Sequence, residues 1–117
     1  MNPEDITRNL SGFTGTESYY SSTFGTLKLT DGVQWLRETL NCYWLIDIVE
    51  SVQPKLKKNN FQVWGIIVNK DKSWEVTVKE DTNEPVLYKQ EGEYTDFPLE
   101  SFEFYCIDGI VLLKNEY

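Results

Sequence analysis

The sequence predicts an α+β domain in which short N-terminal helices pack on a four- to five-stranded antiparallel meander sheet. Three observations carry this. Apolar residues recur at helical spacing along Tyr43–Val52. From Phe61 onward the apolar period changes to two. The helical patterns precede the run of strand patterns that begins at Phe61, the order expected of an α+β chain.

Taken in order, Asn2 is placed to cap a short first helix, with Pro3 at its first position and Glu4 and Asp5 in its first turn. Ile6 and Leu10 are its apolar pair, and Gly12 is its expected end. Phe13-Thr-Gly-Thr16 reads as a turn, and Thr23–Leu29 as an extended segment in which Leu27 and Leu29 alternate with polar residues. Phe13, Tyr19, Tyr20 and Phe24 are expected to cover the core. Asp31 with Gln34 three residues later resembles a capping box, followed by the stripe Val33, Leu36, Leu40 with Trp35 beside it. Asn41 is expected to break this helix.

The central helix begins near Tyr43. At about 100° per residue, Leu45, Ile48, Val49 and Val52 share one face, which Leu56 would extend. Asp47 points about 160° from that stripe, beside Glu50 and Ser51. Asp47 and Glu50 are therefore expected to be solvated. Pro54 disfavours helix at the preceding residue, so the helix should end near Gln53. Lys55, Lys57 and Lys58 with Asn59-Asn60 read as an exposed linker.

Phe61–Val68 is apolar on both faces, as in a central strand. Trp74, Val76 and Val78 alternate with Glu75, Thr77 and Lys79, as in a strand with one wet face. Val86–Gln90 is a short third strand, and Tyr94–Pro98 is a connection in which Asp96 is expected to bond its own turn. Phe102, Phe104 and Cys106 alternate with Glu103, Tyr105 and Ile107. Asp108-Gly109 is a hairpin signal that returns the chain through Ile110–Leu113. The predicted core includes Leu45, Ile48, Val49, Trp64, Val76 and Phe104.

The 117 residues fit a single domain, 1–117, and 17 aromatic side chains make one core feasible. No run of 18 apolar residues is present and the N-terminus is acidic and polar, so a cytoplasmic protein is expected. Cys42 and Cys106 are then expected to be reduced and buried. Histidine is absent. That excludes Ser–His and Cys–His nucleophile pairs and His-containing zinc sites, and two cysteines cannot make a four-cysteine site. Neither common Gly-rich phosphate loop is present. No cofactor and no metal are expected.

Charge is uneven along the chain. Residues 1–70 carry seven acidic and seven basic side chains, whereas residues 71–117 carry twelve and four, which accounts for the whole net charge of −8. Such a field opposes nucleic acid and the displacement of its counterions, and favours a protein partner with a basic surface. The partner-binding candidates are Glu75, Glu80, Asp81, Glu84, Glu91, Glu93 and Glu103. A membrane partner is not expected.

Six islands occur in order: Phe-Thr-Gly-Thr (13–16), Thr-Asp-Gly-Val (30–33), Tyr-Trp-Leu-Ile-Asp (43–47), Phe-Gln-Val-Trp (61–64), Tyr-Thr-Asp-Phe-Pro-Leu (94–99) and the terminal Asn-Glu-Tyr (115–117). Together they resemble a small domain-of-unknown-function family of bacteria, plasmids and phages. The resemblance implies a stand-alone domain with a mobile-element origin and carries over no functional residue. With the acidic charge it favours a non-catalytic interaction module that inhibits a host nucleic-acid-handling or defence protein, in the manner of an anti-CRISPR. Two other readings stand beside it. One is a carboxylate-based enzyme using Asp31, Asp47, Glu50 and Asp96. The other is a small-ligand binder using Tyr19, Tyr20, Phe24 and Trp35.

Overall fold

The computed structural model describes residues 1–117. Three helices, α1 (Pro3–Ser11), α2 (Asp31–Thr39) and α3 (Tyr43–Val52), precede five longer strands, β3 (Phe61–Val68), β4 (Trp74–Lys79), β5 (Val86–Gly92), β6 (Ser101–Ile107) and β7 (Ile110–Leu113). Two short strands, β1 (Tyr20–Ser21) and β2 (Lys28–Leu29), lie between α1 and α2. Each helix lies close to its expected span. Asn2 accepts a hydrogen bond from the Asp5 N–H at 2.9 Å, Gly12 ends α1, and α3 gives way at Gln53 to a 3-10 turn over Gln53–Leu56.

The sheet is larger than expected and is not a meander. Its seven strands run in the order β1-β2-β7-β6-β3-β4-β5, and β2 pairs with β7 in parallel. β1, two residues long, has no period to read, and of the extended segment expected over Thr23–Leu29 only Lys28–Leu29 is strand, with residues 23–27 forming a turn. β6 pairs antiparallel with β3 rather than beside β5. The Glu93–Glu100 connection makes that return possible. Thr95 N–H donates to Lys72 O at 2.9 Å and Val68 N–H to Glu100 O at 2.8 Å, while Phe97 and Leu99 anchor the segment in the core. Asp108 and Gly109 both have positive φ, 50° and 81°, as the expected two-residue hairpin requires.

Strand alternation sends one face toward the helices. Trp64, Ile66, Val76, Val78, Phe104 and Cys106 join Leu45, Val49 and Val52 in one core. All six predicted core residues are buried. Both cysteines are free and buried, and burial pushes each thiol up to about 12.

Several local expectations are corrected. Thr30, not Asp31, is the cap of α2, and its hydroxyl accepts from the Val33 N–H at 3.4 Å. Asp31 is the first helical residue and turns outward, accepting from the Glu17 N–H at 2.9 Å. Thr95 rather than Asp96 closes its turn, by accepting from the Phe97 N–H at 3.1 Å. Phe13 does pack against the core, at 6.1 Å from Trp35, but Tyr19, Tyr20 and Phe24 are exposed. Their segment is a hairpin at the edge of the sheet, and Leu27 and Leu29 supply its buried side chains instead.

The C-terminal residues clasp the helical layer. Asn115 donates to Leu10 O at 3.0 Å and to Phe13 O. Glu116 accepts from the Thr30 hydroxyl at 2.6 Å and from the Gly32 N–H at 3.1 Å, which places a carboxylate at the N-terminus of α2. Gly32 permits this approach, because a Cβ there would stand 2.5 Å from Leu113 and 2.8 Å from Glu116.

Leu45→Ala should cost about 2–5 kcal/mol in urea unfolding, as expected for a cavity at a fully buried leucine. A loss below about 1 kcal/mol would contradict its burial. Thiol titration of the denatured, non-reduced protein should find both cysteines reactive.

Candidate functional site

The face of the sheet turned away from the helices carries no helix of its own. The register places Gly65 of β3 between Thr77 of β4 and Glu103 of β6 on this face. A Cβ at Gly65 would stand 3.5 Å from Glu103 Cγ and 3.8 Å from Thr77 Oγ1, so a side chain would fit. Glycine in a strand interior costs stability and marks places where another group approaches closely. Here it leaves a depression of about 470 Å³, bordered by Ile67, Lys79, Ser101 and Lys114.

To one side of the depression lies an aromatic group. Phe61 and Tyr105 are 5.0 Å apart, and Tyr117 stands edge-on to both, at 5.8 and 5.6 Å. Ile67 is 49% exposed, although its neighbour Ile66 on the opposite face is 1% exposed. The two residues illustrate the difference between the faces.

The seven acidic candidates divide into two groups. Glu75, Glu91 and Glu103 lie on the helix-free face, and each has a cation. Glu75 and Glu91 sit directly opposite each other on β4 and β5. Lys89 bridges them, with Nζ 3.0 Å from Glu91 and 3.6 Å from Glu75. The carboxylates of Glu91 and Glu75 hold the Lys89 ammonium above its usual range. Glu103 pairs with Lys114 at 2.5 Å. Two ammonium groups thus offset two of these three charges.

The second group lies on the rim. Glu80, Asp81 and Glu84 form the β4–β5 turn, and Glu93 leaves the far end of β5. All four are exposed. Asn59 donates to Glu80 at 2.5 Å, so the Lys55–Lys58 segment sits beside this acidic turn. Charge that is segregated in the sequence is interleaved in space.

The other carboxylates are placed differently. Glu50 is 5% exposed, which corrects the expectation of a solvated helix face. The loop between β1 and β2 folds over α3 and directs its donors at this side chain. Ser22 and Thr26 donate hydroxyls at 2.5 Å, and the Phe24 and Thr26 N–H groups donate at 3.0 Å. Burial pushes the Glu50 pKa up, but these bonds together outweigh it and leave the pKa at about 2. Asp47 is half-buried and accepts from the Thr23 hydroxyl at 2.5 Å. Asp31 is held below the usual carboxylate range by the Glu17 N–H. Asp31, Asp47, Glu50 and Asp96 do not meet in one cleft, and no group of three or more acidic or cysteine side chains has a metal-binding arrangement. No helix is long and apolar enough to cross a membrane.

Sequence periodicity did not reveal the Glu50 site, since helix phase alone says nothing of what a distant loop covers. The Ser-Ser-Thr-Phe-Gly-Thr run at 21–26, dense in hydroxyl donors, is the only signal that could have suggested it.

Glu50→Ala should destabilise the protein by about 2–4 kcal/mol, because Ser22, Phe24 and Thr26 lose their shared acceptor. Since the folded pKa of about 2 lies below the ordinary value of 4.5, the Glu50 contribution is fully present above about pH 4.5 and is lost as pH falls toward 2. Urea midpoints measured from pH 6 to pH 2 should show this loss in the wild type and a flatter profile in Glu50→Gln.

No curated protein and no solved structure matches the chain. One family model does, over residues 4–117. On that match the chain belongs to DUF6876, a family of unknown function.

Proposed function

We propose that this protein is a non-catalytic interaction module whose helix-free sheet face docks on the basic surface of a protein partner. The observation that carries this reading is the depression at Gly65. A central strand gives up a side chain for which there is room, on a face that also exposes Ile67 and Tyr117 and carries the half-buried Tyr105. Aromatic and aliphatic groups form the apolar centre of such an interface, with polar groups at its edge.

The rim carboxylates supply the second part. Glu80, Asp81, Glu84 and Glu93 border the uncovered face and have no cation within 4.0 Å. They raise the rate of encounter with a positive surface rather than the strength of the final complex. Glu75, Glu91 and Glu103 play a different part. Already paired with lysines, they fix polar register within the interface and can exchange partners with it.

A basic protein surface of this kind belongs typically to a protein that handles nucleic acid. The proposed activity is inhibition of such a host protein, including a defence nuclease, by covering the surface that meets phosphate. The density of charge is far below that of a duplex, which carries one charge per about 1.7 Å. Shape and apolar contact at the sheet must therefore supply most of the affinity.

Capture of partners from a host lysate, followed by kinetics with the purified partner, tests the reading. Neutralising Glu80, Asp81 and Glu84 together should slow association several-fold at low salt and reduce its salt dependence, with folding stability changed by less than about 1 kcal/mol. An unaltered on-rate at low salt would refute electrostatic capture. Gly65→Ala should leave stability unchanged or raise it by up to about 1 kcal/mol, since the conformational freedom of glycine is removed. The same change should weaken partner binding. Full binding by Gly65→Ala would place the interface elsewhere.

A further inference from the structure

A second surface lies on the helical side of the sheet, at the β5 edge, and does not belong to the face described above. Trp44 of α3 and Trp74 of β4 pack at 4.9 Å between ring centroids, with their planes tilted by 50°. The Trp74 indole lies over Gly92, the residue opposite it on β5, where a Cβ would overlap the ring. Its N–H donates to Tyr94 O at 3.1 Å, which ties the segment after β5 to the tryptophan pair. These contacts shape a groove of about 480 Å³, lined by both tryptophans, Tyr94, Gln90 and Asp96.

The polar groups of the groove are only partly used. Asp96 is exposed and forms no ion pair or hydrogen bond within the chain, unlike Glu75, Glu91, Glu103, Asp47 and Glu50. Gln90 accepts from the Tyr88 hydroxyl at 3.2 Å, and its amide nitrogen has no partner. The Tyr94 side chain is 70% exposed, although it follows a strand and precedes a buried threonine.

We propose that this groove binds an alkylammonium group, either a lysine side chain or a free quaternary amine. The negative faces of aromatic rings attract organic cations, and indole does so most strongly. Asp96 supplies the formal counter-charge at the same site. An anion would meet the Asp96 carboxylate, with no cation among the lining residues. A neutral apolar guest would leave the carboxylate without a counter-charge.

The test uses Nα-acetyl-lysine methylamide, choline and two neutral probes of matched shape, the Nε-acetylated lysine derivative and 3,3-dimethylbutanol. Binding is read from ¹⁵N-resolved indole and backbone signals. The cationic probes should shift Trp44, Trp74 and the Gln90–Asp96 segment, and the neutral probes should not. Asp96→Asn should weaken cation binding roughly fivefold, equivalent to about 1 kcal/mol. Tyr94→Ala should weaken it by a similar factor through loss of a ring face. Both side chains are exposed, so thermal melting should be unchanged. Tighter binding of the lysine probe assigns the groove to a protein side chain, and tighter binding of choline assigns it to a free amine. Equal shifts from charged and neutral probes, or cation binding insensitive to Asp96→Asn, would overturn the proposal.

Discussion

One helix face packed on one sheet face is the constraint from which the rest of the structure follows. Leu45 and Val49 of α3 are fully buried in the same core as Trp64, Val76 and Phe104. Each residue then has little choice of direction. Because Val49 points inward, Glu50 falls on the flank of the helix, beneath the loop that connects β1 and β2. A carboxylate there must be supplied with donors, since an unpaired buried charge is very costly. The loop provides four hydrogen bonds and is itself ordered by giving them. The helical layer is then closed from the other end, where Asn115 and Glu116 bind the end of α1 and the start of α2.

What was legible in the sequence were features set by near neighbours. Helix phase, the Asn2 cap, the Asp108-Gly109 hairpin and the alternation of β3, β4 and β6 depend on residues a few positions apart. What was not legible depends on distant partners. A two-residue strand has no period to detect, so β1 was missed; β2 lies at the end of the extended segment read over Thr23–Leu29, but its parallel pairing with β7 was not legible. The pairing of β6 with β3 needs the Glu93–Glu100 segment to return, and its anchors, Phe97 and Leu99, resemble any other apolar residues in a loop. Two carboxylates were given turn or cap roles that adjacent threonines perform. In each pair, Thr30 with Asp31 and Thr95 with Asp96, the hydroxyl takes the cap or turn bond, while Asp31 accepts from the distant Glu17 N–H and Asp96 is exposed.

The same distinction governs the candidate sites. Linear charge identified the acidic residues, but only the fold showed that Lys89 and Lys114 pair with three of them and that Glu80 has the lysine segment beside it. Nothing in the spacing of Trp44, Trp74, Tyr94 and Asp96 suggested that they line one groove. Gly65 read simply as part of an apolar strand. Its meaning appears only when its neighbours across the sheet are known, since Thr77 and Glu103 leave the space above it open.

The central claim is that the sheet has one face committed to the core and another available to a partner. Ile66 and Ile67 are consecutive and lie on opposite faces, which makes isoleucine methyl groups a direct probe. In a methyl-resolved NMR titration with a captured partner, the account predicts a large shift at Ile67 and little change at Ile66, Ile6 and Ile46. Shifts at the helical-side methyl groups with Ile67 unmoved would contradict it.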